Sequence, residues 1–299
     1  MSGTVLQAAG VSKTFEGVRA LDHVSFAIGP GEVHALVGSN GAGKSTLVKV
    51  LSGVYQPDAG ELRMHGEPIE FAAPAQARRA GIATIHQENT LLPPMSVARN
   101  LFLGKEPRSR FGLIDFARMH AEADQVIQSY GMRLDVRRPL DSLPPGTRQL
   151  VAMAKAAWAD ARVIIMDEPT VGLDPGESET LFRAIARLRD HGRSVIYVSP
   201  RLEELYRICD TVTVLREGRV VHTGALSEID RVGLVSLMLG RPLRQAPPGT
   251  GPADAPAASP VVDLGSKPVT MSAPVVLDTP SSGLHTPKQT MIPTCWSAG

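Results

Sequence analysis

The pattern of apolar and polar positions changes period along the chain, and the changes mark its elements. Between Val5 and about Val54, short apolar stretches separated by turn signals such as Gly29-Pro30-Gly31 predict strands. The last of them, Val33 to Val37, is continuously apolar and leads through a glycine-rich stretch into a helix predicted from Gly43 to about Ser52. A further strand is predicted from Ala83 to Ile85. From Ser96 to about Ala157 apolar positions such as Val126, Ile127, Leu150, Val151 and Ala154 recur at helical spacing, which predicts a mainly helical insert over about 96–157. A buried strand at Val163 to Met166, a helix around Glu177 to Asp190, and strands at Ser194 to Val198 and Thr211 to Leu215 complete an alternation that implies a parallel sheet. The fold class is α/β.

Beyond Arg244 the periodicity stops. Pro, Ala, Gly, Ser and Thr dominate through Gly299, so a folded domain is expected over 1–244 and a disordered tail over 245–299. A linker, a partner-binding tail and the product of a truncation or frameshift are equally compatible with that composition.

Composition narrows the function classes. With 299 residues and 43% hydrophobic content the chain can bury a sizeable core. Lys and Arg total 31 against 30 for Asp and Glu, so a formal charge of +1 provides no broad field for nucleic acid, and any bound anion must be held locally. The two cysteines, Cys209 and Cys295, lack metal-ligand spacing and suit a reducing compartment. No basic and apolar leader is visible and every apolar run is strand-sized, so a cytoplasmic location is expected, with partners supplying any membrane part.

The chemistry starts at Gly38-Ser39-Asn40-Gly41-Ala42-Gly43-Lys44-Ser45. This run fits G-x-x-x-x-G-K-[ST] and lies between a strand and a helix, the context a phosphate-binding loop needs. Glycines let backbone N–H groups converge on phosphate oxygens, the helix N-terminus adds a positive dipole end, and Lys44 neutralises the outer phosphates. The Ser45 hydroxyl is placed to ligate Mg²⁺, with Thr46 beside it near the inner phosphates. The plain alternative, a glycine-rich turn with an exposed lysine, does not account for the flanking strand and helix.

Asp167 and Glu168 end the apolar run Arg162-Val163-Ile164-Ile165-Met166, at the strand end where ligands collect in parallel sheets. Asp167 is assigned to Mg²⁺, and Glu168 to polarising the water that attacks the γ-phosphate. Alone, the pair could equally be a solvated strand end; beside a phosphate loop it has a use.

Taken in order, GSNGAGKST, IHQEN at Ile85 to Asn89 and IIMDEPT at Ile164 to Thr170 resemble the ATP-binding subunits of ABC transporters. LSGVYQPDAGE, GIATIHQE, SVARNLFLG and FGLID resemble, more narrowly, the ATPases of bacterial monosaccharide importers, which carry two such domains in tandem. The resemblance extends from Val5 to about Arg244. It implies a P-loop NTPase (RecA-like) core with an N-terminal antiparallel β subdomain and a helical subdomain. It also implies that Phe15 stacks on adenine, as any aromatic can on a base, although a core phenylalanine is the bland alternative. Gln87 matches the glutamine that reaches Mg²⁺ and the attacking water, and Gly172-Leu173-Asp174 matches a loop through which two such domains touch. The implied partners are transmembrane permease subunits, a second nucleotide-binding domain of the same or another chain and, indirectly, a periplasmic solute-binding protein, with the chain peripheral on the inner face of the membrane. The implied ligands are ATP and Mg²⁺.

Two positions depart from the family pattern. The signature L-S-x-G-Q-x-Q aligns with Leu143-Pro144-Pro145-Gly146-Thr147-Arg148-Gln149, and Pro144 offers neither the hydroxyl nor the N–H of the family's serine. Pro200, in Ser199-Pro200-Arg201-Leu202, stands where the family has a histidine that contacts the γ-phosphate. The expected function is therefore the ATP-binding, energy-coupling subunit of an importer, for a monosaccharide by resemblance, with catalytic groups Glu168, Gln87 and Lys44 and with hydrolysis slowed by Pro144 and Pro200. A regulatory nucleotide-binding pseudo-ATPase is the alternative those prolines suggest. A soluble ABC ATPase of translation or DNA repair fits poorly with the near-neutral charge.

Overall fold

The computed structural model describes residues 3–85 and 91–242. Gln87 and the tail expected over 245–299 lie outside these residues.

The chain opens with a hairpin of β1 (Leu6–Phe15) and β2 (Val18–Ile28). Both strands are longer than the sequence pattern predicts, because a two-residue turn at Glu16 and Gly17, with φ of 46° and 85°, joins them directly. β3 (Val33–Val37) follows, then α1 (Lys44–Leu51), β4 (Ala59–Met64), β5 (Glu67–Ile69), α2 (Pro74–Arg79) and β6 (Ile82–Ile85). The stretch between β6 and β7 holds α3 (Val97–Leu101), α4 (Phe116–Ser129) and α5 (Pro145–Trp158). The last part runs β7 (Val163–Asp167), α6 (Pro175–Asp190), β8 (Ser194–Val198), α7 (Leu202–Ile208), β9 (Thr211–Arg216), β10 (Arg219–Ala225) and α8 (Arg231–Leu239).

The strands form two sheets. An antiparallel sheet has the order β2-β1-β4-β5, and a second sheet the order β10-β9-β3-β8-β7-β6. β6, β7, β8, β3 and β9 are mutually parallel, and β10, which the sequence pattern did not reveal, adds an antiparallel edge. Strands buried on both faces read as unbroken apolar runs because each face needs its own alternate residues. Ala35, Val37, Ile164, Met166, Val195 and Tyr197 thus face one cluster with α5 and α6, whereas Leu36, Val163, Ile165, Ile196 and Val198 face another that includes α1 and the antiparallel sheet. Among the described residues no helix is long and apolar enough to cross a membrane.

Candidate functional site

β3 ends at Val37, and the next residues turn sharply into α1. Gly38 and Gly43 have φ of 156° and 103°, and there is no room for side chains here. A Cβ on Gly38 would lie 2.2 Å from the Leu215 carbonyl oxygen, and one on Gly43 would lie 2.7 Å from that of Ala20. The loop is thereby pressed against β9 and the hairpin after it, where the Gly218 amide donates to the Ala42 carbonyl at 3.1 Å. No side chain caps the first turn of α1, which suits the helix start to an anionic ligand. Asn40 and Gly41 are exposed at the crest, Ala42 is buried beneath them, Ser45 is exposed, and Thr46 is half-buried.

Lys44 curls back over this loop. Its Nζ donates to the carbonyl oxygens of Gly38, at 2.8 Å, and Ser39, at 2.9 Å. Burial lowers its pKa, with the Glu168 and Asp167 carboxylates opposing the shift. Topology explains the pairing: β3 and β7 both flank β8, so their C-terminal ends stand roughly 9–10 Å apart on one edge of the sheet.

Asp167 still pairs with Val198 in the ladder, whereas Glu168 leaves it. The Glu168 amide donates to the Val198 carbonyl at 2.8 Å while its φ is 48°, a left-handed conformation without glycine. Such a conformation costs about 1–2 kcal/mol and turns the exposed Glu168 side chain out of the strand. Strain of this kind is kept where a surrounding network enforces it.

Phe15 ends β1 with 36% of its surface exposed, packed edge-on against Tyr55 with ring centroids 5.0 Å apart and with Lys13 Nζ 5.6 Å from its ring. It is not a core phenylalanine. Pro144 is the N-cap of α5 and caps it with no hydrogen bond, Pro145 occupies the first turn, and Gly146 is buried at its start. Pro200 is exposed one residue beyond the buried Ser199.

Two carboxylates not anticipated from the sequence tie these segments together. Glu177 forms a reciprocal capping box with Asp174 at the start of α6, and its Oε1 also accepts from the Gly146 amide at 3.2 Å. The D-x-x-E spacing is a recognisable capping signal, but the contact across to α5 is not local. Glu204 is buried on α7, and its oxygens accept from Thr170 Oγ1 at 2.7 Å, Ser199 Oγ at 2.8 Å and the Tyr197 hydroxyl at 2.9 Å.

The donor chemistry fits a nucleoside triphosphate with Mg²⁺. At Gly38 and Gly43 the cradle leaves bare backbone where a Cβ would collide, Lys44 supplies charge, and the Ser45 hydroxyl and Asp167 carboxylate are hard oxygen ligands of the kind Mg²⁺ takes alongside phosphate.

A P-loop nucleotide-binding domain is thus defined by fold and site together. Residues 21–171 match the family described as ABC transporter, and the chain belongs to that family. It is 50% identical over 242 residues to the ribose import ATP-binding protein RbsA 2 of Rubrobacter xylanophilus, covering 81% of this chain and 47% of that protein. It is 46% identical over 250 residues to a putative ribose/galactose/methyl galactoside import ATP-binding protein of Burkholderia cenocepacia, covering 82% and 49% respectively. The chain spans about half the length of the curated relatives it matches. Among solved structures it resembles a nucleotide-free ATP-binding cassette from an ABC transporter, with a TM-score of 0.68 at 24% identity over 80% of this chain and 96% of that one. It also resembles cbiO1 of Clostridium perfringens, part of the transporter complex cbiONQ, with a TM-score of 0.67 at 26% identity over 76% and 90%.

Proposed function

We propose that this chain binds Mg·ATP and couples its hydrolysis to solute import, for a monosaccharide, as an energy-coupling subunit docked on transmembrane permease partners. The observation that carries the reading is the glycine loop between β3 and α1, where a Cβ on Gly38 or Gly43 would collide with backbone and Lys44 Nζ lies on the loop carbonyls, at the same sheet edge as the end of β7. Likeness to sugar-import relatives supports the substrate class.

In this reading Gly38 to Thr46 cradle the phosphates, Lys44 leaves its two carbonyl partners for phosphate oxygens, and Phe15 meets the adenine face. Ser45 and Asp167, with Gln87, would hold Mg²⁺, which would supply charge to screen the phosphates. Glu168 accepts a proton from the attacking water. A second nucleotide-binding domain closes over the site with the start of its α5, and a periplasmic solute-binding protein reaches the chain only through the permease. Pro144 and Pro200 remove two phosphate-facing polar groups, which leaves binding intact and slows hydrolysis.

The test is equilibrium binding of a fluorescent ATP analogue with Mg²⁺, followed by ATPase of the chain reconstituted in vesicles with permease subunits encoded beside it. Binding that drops at least tenfold in Lys44→Ala, with turnover stimulated by a sugar-loaded binding protein, is the expected result. Binding indifferent to Lys44 would overturn the nucleotide site; nucleotide binding without any turnover in the full assembly would overturn hydrolytic coupling in favour of a regulatory role.

A further inference from the structure

Glu204 lies outside the phosphate loop and the acidic strand end, yet both segments flanking the site converge on it. It is 8% exposed, and Thr170, Ser199 and Tyr197 are buried at 1%, 3% and 0%. Its Oε1 accepts from Thr170 Oγ1 at 2.7 Å, and its Oε2 accepts from Ser199 Oγ at 2.8 Å and the Tyr197 hydroxyl at 2.9 Å. Arg201 Nη1 approaches Oε1 at 3.4 Å, and the Arg201 amide donates to Ser199 Oγ at 3.1 Å. A carboxylate this buried is costly unless its lone pairs are filled. Here hydroxyl donors from the residues after β7, from β8 and from the turn into α7 fill them.

Position gives the network its consequence. Thr170 lies two residues after Glu168, and Val198, which accepts the Glu168 amide, stands between Tyr197 and Ser199. The left-handed turn at Glu168 is therefore bracketed: on one side by its own bond to β8, and on the other by Thr170 anchored through Glu204 to the same end of β8. Thr170 carries the only link in this set that crosses from the Glu168 segment to α7 by side chains.

We propose that Glu204 is a positioning residue for hydrolysis, acting through Thr170 and Ser199 to hold the Glu168 carboxylate at its working place. The proposal rests on the reading of Glu168 as the proton acceptor. A carboxylate accepts from every one of these hydroxyls; an amide at the same place has one oxygen and brings donors that face donors. A loosened Glu168 segment leaves the phosphate cradle on α1 untouched, so the defect should fall on kcat and spare nucleotide affinity. Misplacement of a catalytic group by about 1 Å is enough for a loss on the order of tenfold to a hundredfold.

The experiment compares the full chain with Thr170→Val, Thr170→Ser, Glu204→Gln and, as the reference for the reading itself, Glu168→Gln. Steady-state ATPase over a range of Mg·ATP gives kcat and KM, and binding of a fluorescent ATP analogue gives affinity. Thr170→Val keeps volume and loses the donor, so it stays informative even if Glu204→Gln fails to fold. We expect kcat lowered about tenfold or more in Thr170→Val and Glu204→Gln, KM and affinity within twofold of the parent, and recovery to within threefold in Thr170→Ser, which restores the hydroxyl. Parental kcat in folded Thr170→Val, or a loss that Thr170→Ser shares, would overturn the proposal while leaving hydrolysis by Glu168 standing. Turnover in the parent no higher than in Glu168→Gln would overturn the reading of Glu168, and the proposal with it.

Discussion

The amide of Gly146, at the start of α5, donates to Oε1 of Glu177 on α6 at 3.2 Å, while Oε2 of the same carboxylate accepts from the Asp174 amide at 3.1 Å. One side chain thus bonds both the segment aligned with the family signature and the loop aligned with its inter-domain contact. Since Pro144 provides no cap for α5, Glu177 supplies the negative charge that a helix N-terminus favours.

That contact makes Gly146 intolerant of any side chain. A Cβ there would lie 2.6 Å from Glu177 Cδ and 2.7 Å from its Cβ. Because Glu177 Cβ is fixed by its helix, α5 must move, and Gly146→Ala is expected to cost about 1–3 kcal/mol. Urea unfolding followed by circular dichroism checks this; an unchanged midpoint would mean that the two helices separate freely.

Glu168 pairs strain with its assigned role. Glu168→Gln should keep Mg·ATP affinity within a few-fold and abolish turnover. Glu168→Gly relieves the φ of 48° but adds freedom to the unfolded chain, so stability should hold or rise by about 0–1 kcal/mol while turnover stops. A Glu168→Gly chain that is markedly less stable would show that the left-handed conformation carries no strain.

The two prolines give a gain-of-function test. Restoring Pro144→Ser and Pro200→His together should raise turnover on the order of tenfold or more, the scale of returning a phosphate-facing donor to an active site. Single-turnover ATPase at saturating nucleotide is the measurement, and an unchanged rate would show that another step limits the chain.

Asp22 sets a pH dependence in acid. Its carboxyl is held at about 2, by the His23 hydrogen bond first and Arg219 next, against an ordinary 3.8. A depressed native value means the ionised form favours the fold: the contribution is complete above 3.8 and disappears as pH falls through about 2. Asp22→Asn should therefore flatten the fall in urea midpoint between those values. An equally steep fall in the variant would assign it to other carboxylates.

What the sequence determined by itself was whatever is written locally. Continuous apolar runs identified β3, β7 and β8, because strands buried on both faces cannot alternate. The glycine spacing from Gly38 to Ser45 marked a candidate phosphate loop, because the positive φ and close backbone approach at Gly38 and Gly43 require glycine, and the acid pair at Asp167 and Glu168 was a candidate from its place at a strand end. Tertiary structure decided what depends on distant partners. It joined β1 and β2 into one long hairpin, added β10 along the sheet edge, and brought the segment after β3 that carries Lys44 to the same sheet edge as Asp167 and Glu168 through the strand order. It also turned Glu177 and Glu204, two ordinary glutamates of helical segments, into ties between loops 31 and 34 residues away. A buried carboxylate declares its role only through the donors around it, and those donors are brought together by sheet topology, which no local pattern encodes.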